Sequence, residues 1–520
     1  MNGRHLMCAT LAIVLWAGAA HAAVAPGARQ PEPFRSTSVD YSAKIDINNI
    51  SMFVTNTGSF ACDRQTANAG LEFPRGTGKT AVYGAGLWLG AKVGGKIRLA
   101  VSAYSDEYGP GAVIGSGAGA TPDNPNKAEY KVYKLNRVYA DAAARDAALA
   151  DYEAGAEIHG APNVSVLPDG SLNILGDQMT WAVYNDLQKS NHTNFSARTL
   201  PLGVEVRQTT FAFNRQGALG NTVFIRYKIH NRGANQLDNM YVSQWSDPDL
   251  GGYSDDLVGC DTTRSLGFVY NATNSDALYG STPPAVGFDF LQGPKVGGVP
   301  LGLTSFNKFT NGTDPNDSTK SYNYMVGLSA AGAPIIDPTN GQPTKFQVSG
   351  DPVTGTGWLD TSPSDKRFML SSGPFSMAPG DSQEVVVAIV IGQSTNRLSS
   401  ISLMKFYDEF VQEAYDRPLV GVPDAVPASV VWFGAAEPNP SSGESRMAFR
   451  LPVSAMVLAQ VLDIAGRRIA TLAERAFPAG THTLRWDGRS SDGRPAPTGA
   501  YILYARAGDH SVRCTIVLLR

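Results

Sequence analysis

The feature that most constrains this chain is a recurring pattern of short segments in which apolar and polar residues alternate, each closed by Gly, Pro, Asn or Asp. Glu205-Val-Arg-Gln-Thr-Thr-Phe-Ala-Phe213 and Thr222-Val-Phe-Ile-Arg-Tyr-Lys-Ile-His230 are the clearest examples. A period of two sends successive side chains to opposite faces, so each segment predicts a half-buried antiparallel strand. Asn231-Arg-Gly233 and Pro379-Gly380-Asp381 supply turn residues between such strands. Two β-forming runs, Val82 to Val93 and Ile97 to Tyr104, flank Gly94-Gly95 and predict a hairpin. The run Glu384-Val-Val-Val-Ala-Ile-Val-Ile391 is apolar throughout and predicts a strand buried on both faces.

Composition agrees with this reading. The chain has 54 glycines and 32 prolines, yet 43% of its residues are apolar, which suits many short strands and turns better than disorder. The expected fold is mostly β. A large antiparallel β-sandwich region with minor helices spans 41–417, with a division near residue 200 left open, and an immunoglobulin-like β-sandwich follows at the C-terminus.

Two stretches break the period of two. Tyr139 to Ala154 is alanine-rich and charged, and predicts an exposed helix stopping at Gly155. Leu398, Ile401, Met404, Tyr407, Phe410, Val411 and Ala414 recur at three- and four-residue spacing. They predict an amphipathic helix over 398–416. Pro418, Pro423, Pro427, Pro438 and Pro440 follow, so 418–435 reads as a linker and 436–520 as a separate terminal domain.

At the N-terminus, Arg4 and His5 precede the apolar stretch Leu6 to Ala20, and Ala20-His21-Ala22 has the small-x-small form of a cleavage site. This predicts a signal peptide over 1–22, a flexible lead-in over 23–40, and a destination outside the cell or on its outer surface. No later segment is apolar for long enough to form a transmembrane helix. A net charge of −3 gives no reason to expect nucleic acid or an anionic membrane as partner. Cys62, Cys260 and Cys514 remain after cleavage. In an oxidising compartment they allow one bridge, for which Cys62–Cys260 is preferred because Cys514 sits in the terminal domain; three buried thiols are the alternative.

Glu437-Pro-Asn-Pro440, Val461-Leu-Asp-Ile-Ala-Gly-Arg-Arg-Ile469, Ala479-Gly-Thr-His-Thr-Leu-Arg-Trp-Asp-Gly488 and Pro497-Thr-Gly-Ala-Tyr501 together resemble the immunoglobulin-like domain named after the flagellar hook-capping protein. This module recurs at the C-termini of secreted bacterial proteins and is similar to the C-terminal sorting domains of the type IX secretion system. The resemblance covers about 436–520. It implies a role in export, attachment or assembly, with secretion or cell-envelope machinery and surface or matrix components as partners, self-assembly included. Gly86-Leu-Trp-Leu-Gly-Ala-Lys92, Ser246-Asp-Pro-Asp-Leu-Gly251 and Phe375-Ser-Met-Ala-Pro-Gly-Asp381 resemble the front regions of uncharacterised secreted proteins with the same ending, and imply no reaction.

The densest chemistry lies in Asp247-Pro-Asp-Leu-Gly-Gly-Tyr-Ser-Asp-Asp-Leu-Val-Gly-Cys-Asp261. Asp247, Asp249, Asp255, Asp256 and Asp261 sit in a glycine-rich loop and could supply the hard oxygens that calcium requires. The spacing begins like an EF-hand loop and then departs, with Gly251 and Val258 at ligand positions. The alternative is a turn whose Asp side chains accept from backbone amides. Asp314-Pro-Asn-Asp317 is a weaker second candidate.

Gly76-Thr-Gly-Lys-Thr80 lacks the leading glycine of a phosphate loop, with Phe73 in its place. The histidines are scattered and no Gly-x-Ser-x-Gly elbow occurs. No catalytic or organic-cofactor residue is assigned. A non-catalytic structural or binding protein is the leading expectation. A secreted carbohydrate-active or other hydrolase is the alternative, for which Trp88, Trp181, Trp245 and Trp358 are sugar-stacking candidates if they are not core residues.

Overall fold

The computed structural model describes residues 41–193, 199–416, 432–437, 439–451, 453–463, 466–508 and 510–519. The expected signal peptide, the lead-in and most of the linker lie outside the described residues.

Two large antiparallel sheets form the body. The first, of ten strands, runs in the order Ser305–Thr310, Lys366–Met377, Leu237–Asp247, Gly84–Val93, and then through short strands from the N-terminal part of the body. The second has nine. Its long members are Gln178–Asn185, Val204–Ala212, Thr222–Asn231, Ser382–Gly392, Ala285–Gln292, Leu266–Asn271 and Asp256–Asp261, in that order. Gln178–Asn185 pairs with Val204–Ala212 along its length, so the second sheet runs across the division left open near residue 200.

The sheets pack face to face. Leu87, Leu89, Val242, Phe368 and Leu370 of the first meet Val206, Ile225, Val286 and Phe288 of the second in one core. The strand Ser382–Gly392 shows why its run is apolar throughout. Val385, Val387, Ile389 and Ile391 enter this central core, whereas Val386, Ala388 and Val390 enter a second core on the outer face. Both faces of that strand are dry.

The outer face of the second sheet is covered by helix α3, Arg397–Asp416, through Ile401, Met404, Tyr407 and Val411. Contact is close because glycines make room: a Cβ on Gly392 would lie 2.7 Å from both Met404 Cα and Ser400 O. Helix α1, Ala142–Gly155, is mostly exposed and begins at Asp141, whose carboxylate accepts from Ala144 N at 2.8 Å. Helix α2, Ser318–Val326, places Tyr322 and Met325 against Trp88, Trp245 and Met369 on the outer face of the first sheet.

The turn signals were read correctly, but two of them, Asn231-Arg-Gly233 and Pro379-Gly380-Asp381, join strands of different sheets. Gly94 and Gly95 have φ of 56° and 79° and close a two-residue hairpin between Gly84–Val93 and Lys96–Val101. Pro379-Gly380-Asp381, in contrast, carries the chain from the first sheet to the second.

The sequence left two readings open for the cysteines and two for the tryptophans. Cys62, Cys260 and Cys514 are all free thiols. Cys62 lies in a short strand paired with Asn68–Ala69, while Cys260 lies in the second sheet and donates its thiol to Gln347 O at 3.4 Å. Cys62 and Cys260 are buried thiols, the alternative that the sequence left open, and they lie in different sheets. Trp88, Trp181 and Trp245 are at most 1% exposed, and Trp358 packs against the central core. The first three are core residues rather than a sugar-stacking platform, and Trp358 is half-buried.

The tail begins with Trp432–Glu437, inside the segment read as linker. It forms a three-stranded sheet from Trp432–Glu437, Ser445–Leu451 and Gly480–Trp486. A four-stranded sheet joins Arg468–Phe477, Ala455–Asp463, Gly499–Ala507 and His510–Leu518. Phe449, Val457, Val461, Leu484, Trp486, Leu503 and Ile516 fill the core between them. Among the described residues, every tail strand pairs only with other tail strands. The fold is thus mostly β: an antiparallel β-sandwich body with minor helices, and a C-terminal immunoglobulin-like sandwich.

Candidate functional site

Three adjacent strands of the first sheet run out at one edge. Their register aligns Ser246 with Phe368, and Thr310 with Lys366. The segments at these ends therefore meet: Asp247-Pro-Asp249 at the end of Leu237–Asp247, Asp365 just before the central strand Lys366–Met377, and Asp314 after Ser305–Thr310. One carboxylate oxygen from each of Asp247, Asp249 and Asp365 lies within 4.8 Å of the others. That spacing suits oxygens that share one hard cation at about 2.4 Å.

Arg367 enters the same cluster. Its Nη2 donates to Asp247 Oδ2 at 3.0 Å, its Nε donates to the Tyr104 hydroxyl at 2.7 Å, and its Nη1 donates to Asp365. Tyr104 in turn donates to Asp247 Oδ2 at 2.6 Å. Asp314 Oδ1 lies 3.9 Å from Arg367 Nε. Asp365 is also oriented by Asn311, whose Nδ2 donates to its Oδ2 at 2.9 Å.

Asp247 is thus held on one side only. Its Oδ2 accepts twice, while its Oδ1 is shielded from solvent and accepts nothing, although the residue is only 1% exposed. Asp249 Oδ1 is likewise shielded without a donor. Asp249 has a φ of 43°, a left-handed conformation that Asp tolerates better than most residues and that bends the loop back over the strand ends. Burial pushes the Asp247 carboxyl up, against the pull of Arg367. Burial, followed by the neighbouring Asp247 and Asp365, pushes Asp249 well above the carboxylate range.

The other acidic residues of the loop go elsewhere. Asp256 Oδ2 accepts from Leu250 N at 3.1 Å, and Asp255 Oδ2 accepts from Asn271 Nδ2 at 2.9 Å. Asp276, which the sequence pattern did not single out, accepts from the amides of Gly252, Leu278 and Tyr279. For this part of the loop the amide-capping alternative describes the contacts. Asp261 is engaged by Lys405 at 3.0 Å and Arg264 at 3.1 Å. Against burial, which raises it, hydrogen bonds from Thr263 and Lys405 hold its carboxyl below the ordinary value.

Asp261 lines a cleft of about 490 Å³ between the second sheet and α3, with Arg264, Asp351, Lys405 and Glu409. Each of its carboxylates has a cationic partner, with Lys405 also 3.5 Å from Asp351 and Arg264 3.7 Å from Glu409.

The loop pattern found Asp247 and Asp249. It missed Asp365, Arg367 and Tyr104, which come from other strands and carry no local motif. Asp314, the weaker candidate, belongs to the same cluster as the stronger one.

No curated protein matches the chain in sequence. Similar solved structures include a polysaccharide lyase, at 8% identity over 60% of this chain and 34% of that one, with a TM-score of 0.19. Another is PorZ, a bacterial surface component of the type IX secretion system of Porphyromonas gingivalis, at 11% identity over 69% and 45%, with a TM-score of 0.13. Dimeric latent PorU from Porphyromonas gingivalis aligns at 10% identity over 66% and 32%, with a TM-score of 0.16. The chain spans less than half the length of each. Residues 436–511 match the FlgD Ig-like domain, and the tail that contains them folds as an immunoglobulin-like sandwich.

Proposed function

We propose that this chain is a secreted or cell-surface protein without a catalytic role, in which the two-sheet body is a rigid display platform. Its C-terminal module serves export, attachment or assembly, through secretion or cell-envelope machinery or through surface and matrix components. The observation that carries this reading is the self-contained tail: its strands pair with one another, it encloses its own core, and residues 436–511 match the FlgD Ig-like domain. A module built this way can act as a transferable tag, since it does not need the body to complete its sheets.

Two features of the body support a non-catalytic reading over the hydrolase alternative. Three of the tryptophans that might have stacked on sugar rings are core residues. The carboxylates lining the cleft beside α3 are each engaged by Lys405 or Arg264, which leaves none poised as a general acid.

The test is localisation. The full chain and a version ending before residue 432 are compared in cytoplasmic, envelope and medium fractions of the native cell, with near-ultraviolet circular dichroism to check that the body folds. The truncated version is expected to lose its place at the surface or in the medium. Identical distribution of the two would overturn the reading.

A further inference from the structure

We propose that Asp247, Asp249, Asp314 and Asp365 form a calcium site that clamps the ends of three adjacent strands of the first sheet. This goes beyond the role assigned to the tail and stands independently of it.

The charge balance is the first argument. Four carboxylates converge on one guanidinium, that of Arg367. Arg367 addresses Asp247 Oδ2, Asp365 and, at 3.9 Å, Asp314, and forms no ion pair with Asp249. An unmatched surplus of negative charge around a buried carboxylate calls for protons or a cation.

The second argument is independent of the count. Asp247 is 1% exposed and its Oδ1 meets no donor, although its Oδ2 is doubly satisfied. An ionised oxygen left this way inside a protein is costly unless a shared proton or a cation completes it, and a cation bridging Asp247 to the adjoining Asp249 carboxyl completes both at once. Asp249 Oδ1 and Asp314 Oδ1 are also shielded and without a hydrogen-bond donor. With oxygens of Asp247, Asp249 and Asp365 within 4.8 Å of one another and Asp314 beside Arg367, these acceptors outline one side of an ion cage.

The donor set selects the ion. All the donors are hard carboxylate oxygens, with no sulfur or imidazole among them, which disfavours zinc and copper. They come from a strand end, a bent loop and two separate approaches, an irregular arrangement that calcium accepts and magnesium, with its strict octahedron and retained waters, does not. The remaining positions would be filled by water.

Terbium is the probe, because it takes calcium sites and emits when a nearby aromatic ring absorbs. Tyr104 touches Asp247 through its hydroxyl, and Trp245 lies edge-on to Tyr104 at 5.2 Å. Ultraviolet excitation of the purified full chain should give terbium emission that saturates at one equivalent and is displaced by calcium in preference to magnesium. Asp249→Asn and Asp365→Asn should each weaken binding roughly tenfold or more, since affinity follows ligand charge. Far-ultraviolet circular dichroism checks their fold, and Asp314→Asn, outside any strand, replaces either one that fails to fold. Chelator should lower the melting temperature of the native chain and leave that of Asp249→Asn unchanged. Absence of sensitised emission, emission that the substitutions leave intact, or a melting temperature indifferent to chelator would each overturn the assignment.

Discussion

Asp289, on the Ala285–Gln292 strand, and Asp408, on α3, meet carboxyl to carboxyl in the seam between the helix and the second sheet. They are 0% and 1% exposed. Neither oxygen of Asp289 and not Oδ1 of Asp408 receives a bond from any N–H or hydroxyl donor. Two buried carboxylates in contact cannot both ionise cheaply, so one proton shared between them is the state this geometry supports.

Burial and the facing Asp408 push Asp289 well above the carboxylate range. Burial pushes Asp408 up as well, against Arg264 and with the help of Asp261 and Glu409, while Asp416 adds to the charge around Asp289. A carboxyl raised in the folded state keeps its proton to higher pH than the unfolded chain does. Its stabilising contribution is full below the unfolded value of about 4 and is lost as pH rises through the raised value. Asp408→Asn should therefore be more stable than the native chain near pH 8, by on the order of 1–2 kcal/mol for a pair shifted by a unit or more. The gap should close toward pH 4. Urea unfolding across this range is the measurement, and parallel pH profiles for the two proteins would refute the shared proton.

Gly392 predicts a steric limit on the same seam. Its missing side chain leaves room for the backbone of α3 at Ser400 and Met404. Backbone cannot swing aside as a flexible side chain can. Gly392→Ala should lift the helix and cost about 1–3 kcal/mol, the range for overpacking a close contact. Gly94→Ala, with open space around it, isolates the separate cost of a left-handed residue. If Gly392→Ala melted with the native chain, the close packing would be refuted.

How legible this was in the sequence depended on the range of the interaction. Alternation and turn residues revealed the strands and the hairpin at Gly94-Gly95, because those signals are local. The helix over 398–416 was legible from Ile401, Met404, Tyr407 and Val411, which all face the sheet. The candidate site was half legible. Asp247 and Asp249 stood out as neighbours in the chain, but Asp365 and Asp314 join them only through the pairing of Lys366–Met377 with the two strands beside it. Register between distant strands leaves no local mark. The same limit left the cysteines open between a Cys62–Cys260 bridge and buried thiols, since sequence alone does not place Cys62 against Cys260.

Those cysteines make a simple prediction. Burial pushes the Cys62 thiol up to about 11 and also raises Cys260 and Cys514, so little thiolate is available to react near neutral pH. The chain without residues 1–22, purified without reductant, should react with Ellman's reagent at three thiols in denaturant and slowly when folded. Fewer than three, with a mobility shift between reduced and unreduced gels, would show that a bridge forms after all.

The tail should unfold on its own. Trp486 is 1% exposed, donates through Nε1 to Arg489 O at 2.8 Å, and meets Tyr501 edge to face at 5.0 Å. It ties the three-stranded sheet to the turn that leads into the four-stranded one. Trp486→Ala leaves a cavity that the small core cannot close, at a cost of about 3–5 kcal/mol. A domain of this size has little stability beyond that. Differential scanning calorimetry of the full chain should resolve two transitions, one of which shifts or vanishes in Trp486→Ala while the other stays in place. A single transition that moves as a whole would mean that the body and tail unfold as one unit, and the module could not then act as a separable tag.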